Sequence, residues 1–229
     1  MIASVHIADV GFGKAVGVLR TAPKPAKVPG LRSANVALCA PLSPKLRKQI
    51  QPGRLGLIAF WDDDAALDGF LAGHELADTL AGGWRLRLQP LRAHGAWPGL
   101  PEDTPSGRKT DHTGPTAALT MGRFRWSRAW QFFPTSAKAE GRVLEAPGRI
   151  WSSGLAKPPF VATCSLWEST DALSDYAYGE AQPAHSDAMA VNRTKPFHRH
   201  EVYIRFRPYD TVGHLDGTNP LPEGCLTRA

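Results

Sequence analysis

Histidine is the residue type in this chain with the widest choice of chemistry, and His185 has the most informative setting. Pro183 suits the first turn of a helix, and in such a helix His185 shares a face with Ala188 and Met189. The ring therefore points toward apolar neighbours. Two interpretations stay open: a buried histidine bonded to a backbone carbonyl, or an axial ligand to haem iron, which needs one neutral imidazole in an apolar slot.

Three other histidines offer related chemistry. His74 lies between Phe70 and Ala77 on a predicted helix face and is the second candidate for an iron ligand. His198 and His200 come just before the last predicted strand, and a His-x-His pair on a strand places both rings on one face, as a metal pair requires. No third ligand is evident in the sequence beside them.

Other kinds of catalytic site are not indicated. The stretch Gly11-Phe12-Gly13-Lys14 lacks the spacing of a phosphate-binding loop, and no serine lies in a G-x-S-x-G turn. The three cysteines are widely spaced and form no C-x-x-C pair. They indicate reduced thiols and argue against a structural zinc site.

The elements that must position these side chains come from an internal repeat. An offset of 106 residues carries Trp61 onto Trp167, with matching residues on both sides. A second block, in which Gly95 falls on Gly213, has an offset of 118. The difference, 118 minus 106, leaves 12 extra residues in the second copy, between about residues 177 and 202. His185 lies in this insertion, which the first copy lacks.

Each copy is predicted to run strand, helix, strand, strand, helix, strand, which is the ferredoxin-like order. In the first copy, residues 55–61 and 84–89 alternate as strands do, and residues 67–77 have apolar residues at helical spacing. The fold class is therefore α+β, a tandem duplication of ferredoxin-like modules that form a dimeric α+β-barrel-like fold with helices outside. The predicted bounds are 1–100 for the first module, 101–115 for a linker and 116–229 for the second module, with the insertion near 178–200.

Composition limits the partners. The net charge is +6, but much of the excess lies in a proline-rich stretch between residues 24 and 48, where we expect solvated loop charges and no binding of nucleic acid. No apolar run approaches the ~20 residues of a membrane-spanning helix, and the N-terminus lacks a secretory signal pattern. We therefore expect a cytoplasmic protein without a membrane span, for which the membrane is not a main partner.

Several segments resemble the spheroidene monooxygenase family. They are Ser165-Leu166-Trp167-Glu168-Ser169, Tyr176-Ala177-Tyr178, Pro183-Ala184-His185 with Ala188-Met189, and Tyr203-Ile204-Arg205-Phe206-Arg207-Pro208. In the first half, Gly56-Leu57-Ile58-Ala59-Phe60-Trp61 and His94-Gly95-Ala96-Trp97-Pro98-Gly99 are also similar. The resemblance thus covers most of the chain.

The resemblance implies a haem protein that uses dioxygen and external electrons to oxidise a carotenoid to a ketone. It also implies an architecture similar to that of chlorite dismutase and aldoxime dehydratase, which take a proximal histidine from a helix of the C-terminal half. His185 is the matching position, with Met189 on the same helix face. Arg193 and Arg205 are then equal candidates for binding a haem propionate, and together these four residues form the predicted haem site.

Three functions stay open on this evidence. The first is a haem-dependent monooxygenase, an oxidoreductase that acts on a small apolar, carotenoid-like substrate and draws electrons from a ferredoxin-type donor. The second is a haem enzyme of another class, of the dehydratase or peroxidase type, on the same fold. The third is a non-enzymatic module that binds a small ligand. A homo-oligomer is compatible with all three.

Overall fold

The computed structural model describes residues 1–45, 50–107, 110–179, 198–221 and 223–226. The strands are β1 (Ile2–Asp9), β2 (Leu31–Ala40), β3 (Gln51–Trp61), β4 (Trp84–Gly95), β5 (Thr116–Phe124), β6 (Arg149–Lys157), β7 (Phe160–Trp167) and β8 (His198–Val212). The helices are α1 (Phe12–Arg20), α2 (Asp64–Gly73), α3 (Glu75–Leu80), α4 (Ala129–Glu145) and α5 (Thr170–Tyr178). The predicted order of strands and helices is therefore present twice.

The eight strands form one closed antiparallel barrel in the order β1-β3-β2-β6-β7-β5-β8-β4. Each half contributes the ferredoxin-like order, 4-1-3-2 and 8-5-7-6. The halves join edge to edge, through a long ladder of β4 with β8 and a short one of β2 with β6, in which Leu38–Ala40 pair with Gly154–Ala156. Every strand of the barrel therefore has a neighbour on both sides. This confirms the predicted α+β duplication and refines it, because the two sheets close into one barrel. The module bounds 1–100 and 116–229 stay a prediction.

The long β4–β8 seam shows the internal symmetry at residue level. The offset of 118 also carries Pro90 onto Pro208. Leu88 pairs with Pro208 and Pro90 pairs with Phe206, so the two prolines lie at related positions beside irregularities in the ladder. Gly95 and Gly213, matched by the second repeat block, have positive φ angles of 91° and 84°. The same backbone turn therefore ends both seam strands.

The barrel interior is the main core, and both halves fill it. Alternate residues of each strand point inward, as the period of two requires. Phe60, Trp84, Leu119, Ile204 and Phe206 are all at most 1% exposed there. Cys39 and Cys164 lie in the same cluster as free thiols, and burial raises the pKa of each thiol to about 12.

A helical layer covers the outer face of the first half. Asp63 caps α2 by accepting a hydrogen bond from the backbone N–H of Ala66 at 2.9 Å, as free amides at a helix start require. Leu67 and Phe70 pack beneath it against Trp61. The single helix predicted over residues 67–77 is broken, however, because His74 ends α2 and caps α3.

The second half carries α4 and α5 on its outer face. Ser169 caps α5 as Asp63 caps α2, and the Trp167 ring stacks on Tyr176 with centroids 4.9 Å apart. The helix α4 contains Pro134 and is preceded by a short 3-10 turn, Trp126–Arg128. No helix among the residues that the structure describes is long and apolar enough to cross a bilayer.

Candidate functional site

The outer face of the second-half sheet carries polar side chains in its centre. Opposite residues of antiparallel strands share a face, and every second residue repeats it. Three adjacent rows of β7, β5 and β8 therefore lie on this face: Ser165, Ala118 and Arg205; Thr163, Thr120 and Tyr203; Val161, Gly122 and Glu201. If this sheet face only packed against covering helices, its side chains would be apolar. The polar side chains in these rows therefore indicate a role other than core packing.

The equivalent face of the first half is closed, and the comparison shows what is different. Trp61 pairs with Ile2 in β1, and its repeat partner Trp167 pairs with Thr116 in β5. Four residues further along these two strands lie His6 and Thr120, which are therefore equivalent positions in the two copies. His6 is 3% exposed, and its ring lies 6.5 Å from that of Phe70 on α2. Thr120 is exposed at the centre of its sheet. In the first half, α2 and α3 cover the centre of this face. In the second half, the described helices leave the equivalent space uncovered.

Arg205 lies at one end of this open face. Its side chain is buried, at 7% exposure, and donates a hydrogen bond to the Oγ atom of Ser174 at 2.8 Å. Its guanidinium carbon also lies 5.5 Å from the centre of the Tyr178 ring. Burial lowers the pKa of Arg205. Among the described residues it forms no ion pair with a carboxylate, so a buried cation here is available for an anionic group.

Tyr203 places a phenol in the middle row. Burial, and after it the charge of the nearby Glu201, raise the pKa of Tyr203 well above its usual value. Burial likewise raises the pKa of Tyr176 to about 12. Both phenols therefore keep their protons at neutral pH, and Tyr203 is an O–H donor directed at the same face as Thr120.

Aromatic rings close the other end of the face. Phe124 stacks on Phe132 with centroids 5.4 Å apart and meets Phe133 edge to face at 5.8 Å. The ring of His198 packs against Phe132 at 5.2 Å, and its Nδ1 lies 3.0 Å from Oε2 of Glu201. The arrangement provides an apolar wall with one imidazole oriented by a carboxylate, as acid–base chemistry requires.

A glycine makes room for that imidazole. A Cβ atom at Gly122 would lie 2.6 Å from Cδ2 and 2.8 Å from Nε2 of His198. Any side chain at position 122 would therefore displace the ring from the sheet face.

The predicted haem-site residues are only partly within the described structure. His185, Met189 and Arg193 fall in residues 180–197, outside the described residues. Arg205 is described and lies on the open face. The flanking described residues are Gly179, just after α5, and His198, the first residue of β8, which bound this face from two sides.

The competing histidines have other settings. The Nδ1 atom of His74 accepts a hydrogen bond from the backbone N–H of Leu76 at 3.0 Å, which makes it a helix cap. The expectation that His198 and His200 share one face is wrong. The ladder has an irregularity between Arg123 and Phe124, so His200 pairs with Arg123 while His198 turns to the opposite, outer face. No group of three or more potential metal ligands occurs in the described part of the chain.

Sequence reasoning missed Thr120, Tyr203 and Ser174. Thr120 and Tyr203 look like ordinary residues of alternating strands, and Ser174 like a residue of a surface helix. One signal was present in the sequence. When the first strands of the two copies are aligned, Thr120 falls on His6, so the polar side chain at the centre of the sheet differs between the copies.

Sequence comparison agrees with the resemblance noted above. The chain is 32% identical over 170 residues to the spheroidene monooxygenase of Rubrivivax gelatinosus, covering 72% of this chain and 64% of that protein. It is 27% identical over 143 residues to the spheroidene monooxygenase of Cereibacter sphaeroides, covering 62% of this chain and 44% of the relative. It therefore spans less than two thirds of the length of either. No protein-family model matches the chain.

Among solved structures, aldoxime dehydratase has a similar fold. The TM-score is 0.54 at 10% identity, and the match covers 100% of this chain and 88% of that one. At such low identity the likeness concerns the fold alone. The predicted resemblance is thus confirmed by sequence, and the predicted architecture by the fold: the chain is a sequence relative of the spheroidene monooxygenases and is folded as an α+β barrel.

Proposed function

We propose that the protein is a haem-dependent monooxygenase that oxidises an apolar, carotenoid-like substrate with dioxygen and external electrons. The observation that carries the proposal is its 32% identity to a protein whose name states both a substrate, spheroidene, and a reaction class, monooxygenation. The proposal makes the chain an oxidoreductase. It also locates the chemistry on the outer face of the second half, where the two copies differ.

The open face fits a large planar cofactor with acidic groups. Haem carries two propionates, and Arg205 is a buried cation without a carboxylate partner in the described residues. A guanidinium binds a carboxylate through two parallel hydrogen bonds. At the opposite end, Phe124, Phe132 and Phe133 supply the apolar contacts that a porphyrin edge requires. Polar and apolar ends of the face thus match those of haem.

We assign the iron ligand to His185. The assignment rests on its sequence setting after Pro183 and beside Met189, and on the family resemblance. Its remaining ring nitrogen is expected to donate to a carbonyl or carboxylate, which sets the tautomer. Arg193 is the alternative propionate partner to Arg205. When bound, haem supplies the redox chemistry that activates dioxygen.

The protein's own residues then control protons and water. Tyr203 keeps its proton because burial raises its pKa, so it is placed to donate a hydrogen bond on the cofactor face. The ring of His198, whose Nδ1 lies 3.0 Å from Oε2 of Glu201, is a second polar group on this face. Phe132 packs on His198 and excludes water from that side. These residues would hold protons and exclude water at the cofactor face, while the aromatic wall would contact the porphyrin edge.

The proposal also implies partners. A monooxygenase reduces one oxygen atom of dioxygen to water and therefore needs two electrons for each turnover, for which we propose a ferredoxin-type donor. We further propose a cytoplasmic location and assembly into a homo-oligomer.

A spectroscopic test separates this function from its alternatives. The purified parent and the variants His185→Ala, His74→Ala and His198→Ala are each titrated with haem, then reduced and exposed to carbon monoxide. We expect a Soret band in the parent and its loss, or a change in the reduced-carbonyl spectrum, only in His185→Ala. His74→Ala is the matched control, because the structure makes it a helix cap of the other half.

Two results would contradict the proposal. If the parent and all three variants bind no haem, the cofactor assignment fails, and a module that binds small ligands becomes the better interpretation. If haem binds but the reduced protein consumes no dioxygen with an apolar polyene, a haem enzyme of another class is indicated.

A further inference from the structure

A stripe of exposed aromatic side chains runs along the start of α4. Trp126, Trp130 and Phe133 have the i, i+4, i+7 spacing that places side chains on one face. They are 66%, 71% and 37% exposed. We call these three residues the aromatic patch. The same face becomes buried further along the helix at Ala137, so only the first half of α4 projects its apolar side outward.

The exposure of two tryptophans is unusual in this molecule. Trp61, Trp84, Trp97 and Trp167 are at most 4% exposed, and Trp151 is half-buried. Of the seven tryptophans in the chain, Trp126 and Trp130 are therefore the two that are mostly exposed. Neighbouring large apolar side chains on a surface mark a site of association.

The patch is held in place from below. The Trp126 ring meets Phe124 edge to face with centroids 5.0 Å apart, and Phe133 meets Phe132 at 5.4 Å. Phe124 itself is buried beneath them. Trp126 and Phe133 are therefore presented on a packed base, which reduces the entropy lost when they bind.

Arginines flank the patch. Arg125 and Arg199 are exposed, and Arg128 is half-buried. Within the described residues Arg125 donates to the carbonyl of His198, at 3.4 Å, and Arg128 donates to the side chain of a neighbouring glutamine. None of these three arginines forms an ion pair with a described residue, and the sequence from 123 to 139 contains no acidic residue. The rim is therefore basic.

We propose that the aromatic patch and its arginine rim dock the protein on the surface of an anionic lipid bilayer. Tryptophan prefers the boundary between headgroups and acyl chains, and arginines on the polar side of a partly apolar helix bind anionic headgroups. Exposed indoles beside arginines that pair with no carboxylate among the described residues fit the surface of an anionic bilayer better than they fit bulk water. It revises the expectation that the membrane is not a main partner, without requiring a spanning helix.

The proposal does not depend on the haem assignment. If both hold, they are complementary, because the patch begins at Trp126, directly after the aromatic wall of the open face at Phe124. An apolar polyene dissolved in the bilayer would then reach the site without crossing water.

Vesicle binding tests the proposal directly. The whole 229-residue chain is sedimented with vesicles of phosphatidylcholine alone and of phosphatidylcholine mixed with phosphatidylglycerol, while acrylamide quenching of tryptophan fluorescence is recorded. We expect binding to the mixed vesicles, weakened by salt, and protection of the exposed indoles from quenching. The double variant Trp126→Ala/Trp130→Ala should bind about tenfold more weakly or worse, because burying a large apolar side chain is worth about 1.5–3 kcal/mol.

Matched variants separate the two contributions. Arg125→Gln/Arg128→Gln should weaken binding to mixed vesicles by about fivefold per arginine, at about 1 kcal/mol for each charge near the surface. Phe12→Ala is the control, because Phe12 is also 66% exposed but lies on α1 in the other half; it should bind as the parent does. Circular dichroism melting confirms that all variants fold.

The outcomes that overturn the proposal are equally specific. If the parent fails to bind mixed vesicles, or if the tryptophan variant binds them as well as the parent, the patch has no role at a membrane. If the parent is an oligomer in sedimentation equilibrium, and the tryptophan substitutions dissociate it without affecting lipid binding, the patch is an interface between copies of this chain.

Discussion

Replacing Arg205 by methionine is expected to change apoprotein stability and haem affinity in opposite directions. Arg205 is 7% exposed, burial lowers its pKa, and its partners are the Oγ atom of Ser174 at 2.8 Å and the side chain of Tyr178, whose ring centre lies 5.5 Å from the guanidinium carbon. In the apoprotein these neutral partners compensate only in part for the desolvation of the charge. Methionine has similar volume and no charge, so the loss of a hydrogen bond from a charged group, worth about 1.5–3 kcal/mol, is offset by relief of desolvation. We expect the free energy of unfolding to stay within about 1 kcal/mol of the parent value or to rise.

Haem binding is expected to weaken markedly in the same variant. If Arg205 binds a propionate, its loss removes a charge-assisted hydrogen bond worth about 1.5–3 kcal/mol, which corresponds to about a 10- to 100-fold lower affinity. Haem titration at the Soret band measures this, and urea unfolding of the apoprotein measures stability. Arg207→Met is the matched control, because Arg207 lies two residues along β8 and binds Gln89 at 2.7 Å.

Each measurement can refute the reasoning separately. Haem affinity within twofold of the parent would exclude Arg205 as a propionate partner and favour Arg193. If the variant lowers the free energy of unfolding of the apoprotein by more than about 2 kcal/mol, Arg205 mainly supports the packing of α5. Removal of a poorly compensated buried charge should not cost that much stability. An equal loss of haem affinity in Arg207→Met would show that any lost arginine has this effect.

Three further predictions concern the scaffold. Burial, and then the charges of two arginines, lower the pKa of His6 to about 3. Because the folded-state pKa is below the unfolded-state pKa, the contribution of His6 to stability is complete above about pH 6.5 and is lost as the pH falls. The free energy of unfolding should therefore fall by about 2 kcal/mol between pH 7 and pH 5. Urea unfolding of the parent and of His6→Gln at both pH values should show that difference in the parent only, and an equal fall in both proteins would refute it. Gly213→Ala should lower the free energy of unfolding by about 2 kcal/mol or more, because φ is +84° and a Cβ would lie 2.0 Å from the carbonyl oxygen of Gly83; Gly217→Ala, with φ +81° and open space, should cost about half as much in the same assay. Asp63→Ala removes the cap of α2 and should cost about 1 kcal/mol in thermal unfolding, whereas an unchanged melting temperature would contradict the capping role.

The duplicated fold was readable in the sequence because strands and helices have different periods and because the repeat supplied each prediction twice. Trp61 and Trp167 aligned the copies, and their strand partners in β1 and β5 follow the same register. The glycines at 95 and 213 were matched by offset alone, and their positive φ angles give the physical reason. Local patterns of this kind depend on neighbours along the chain, which the sequence shows directly.

The sequence patterns led to wrong predictions for the settings of His74 and of the pair His198 and His200. Helical spacing placed His74 within one helix, but its ring caps a new helix through Nδ1, a hydrogen bond that side-chain periodicity does not report. His198 and His200 were expected on one face, and an irregular ladder step separates them. A bulge arises from the pairing of two distant strands, so nothing local to residues 198–200 predicts it.

The candidate site depended most on tertiary structure. The sequence singled out Arg205 as one of four haem-site residues, but could not show that it is buried beside Ser174 without a carboxylate among the described residues. Thr120 and Tyr203 became neighbours only when β5 and β8, about eighty residues apart, paired in one register. Residue types and spacing along the chain determined the elements and their order, because these follow from local backbone preferences and hydrophobic period. Closure of the barrel alone decided which polar side chains meet on the open face, because that depends on the register between strands distant in sequence.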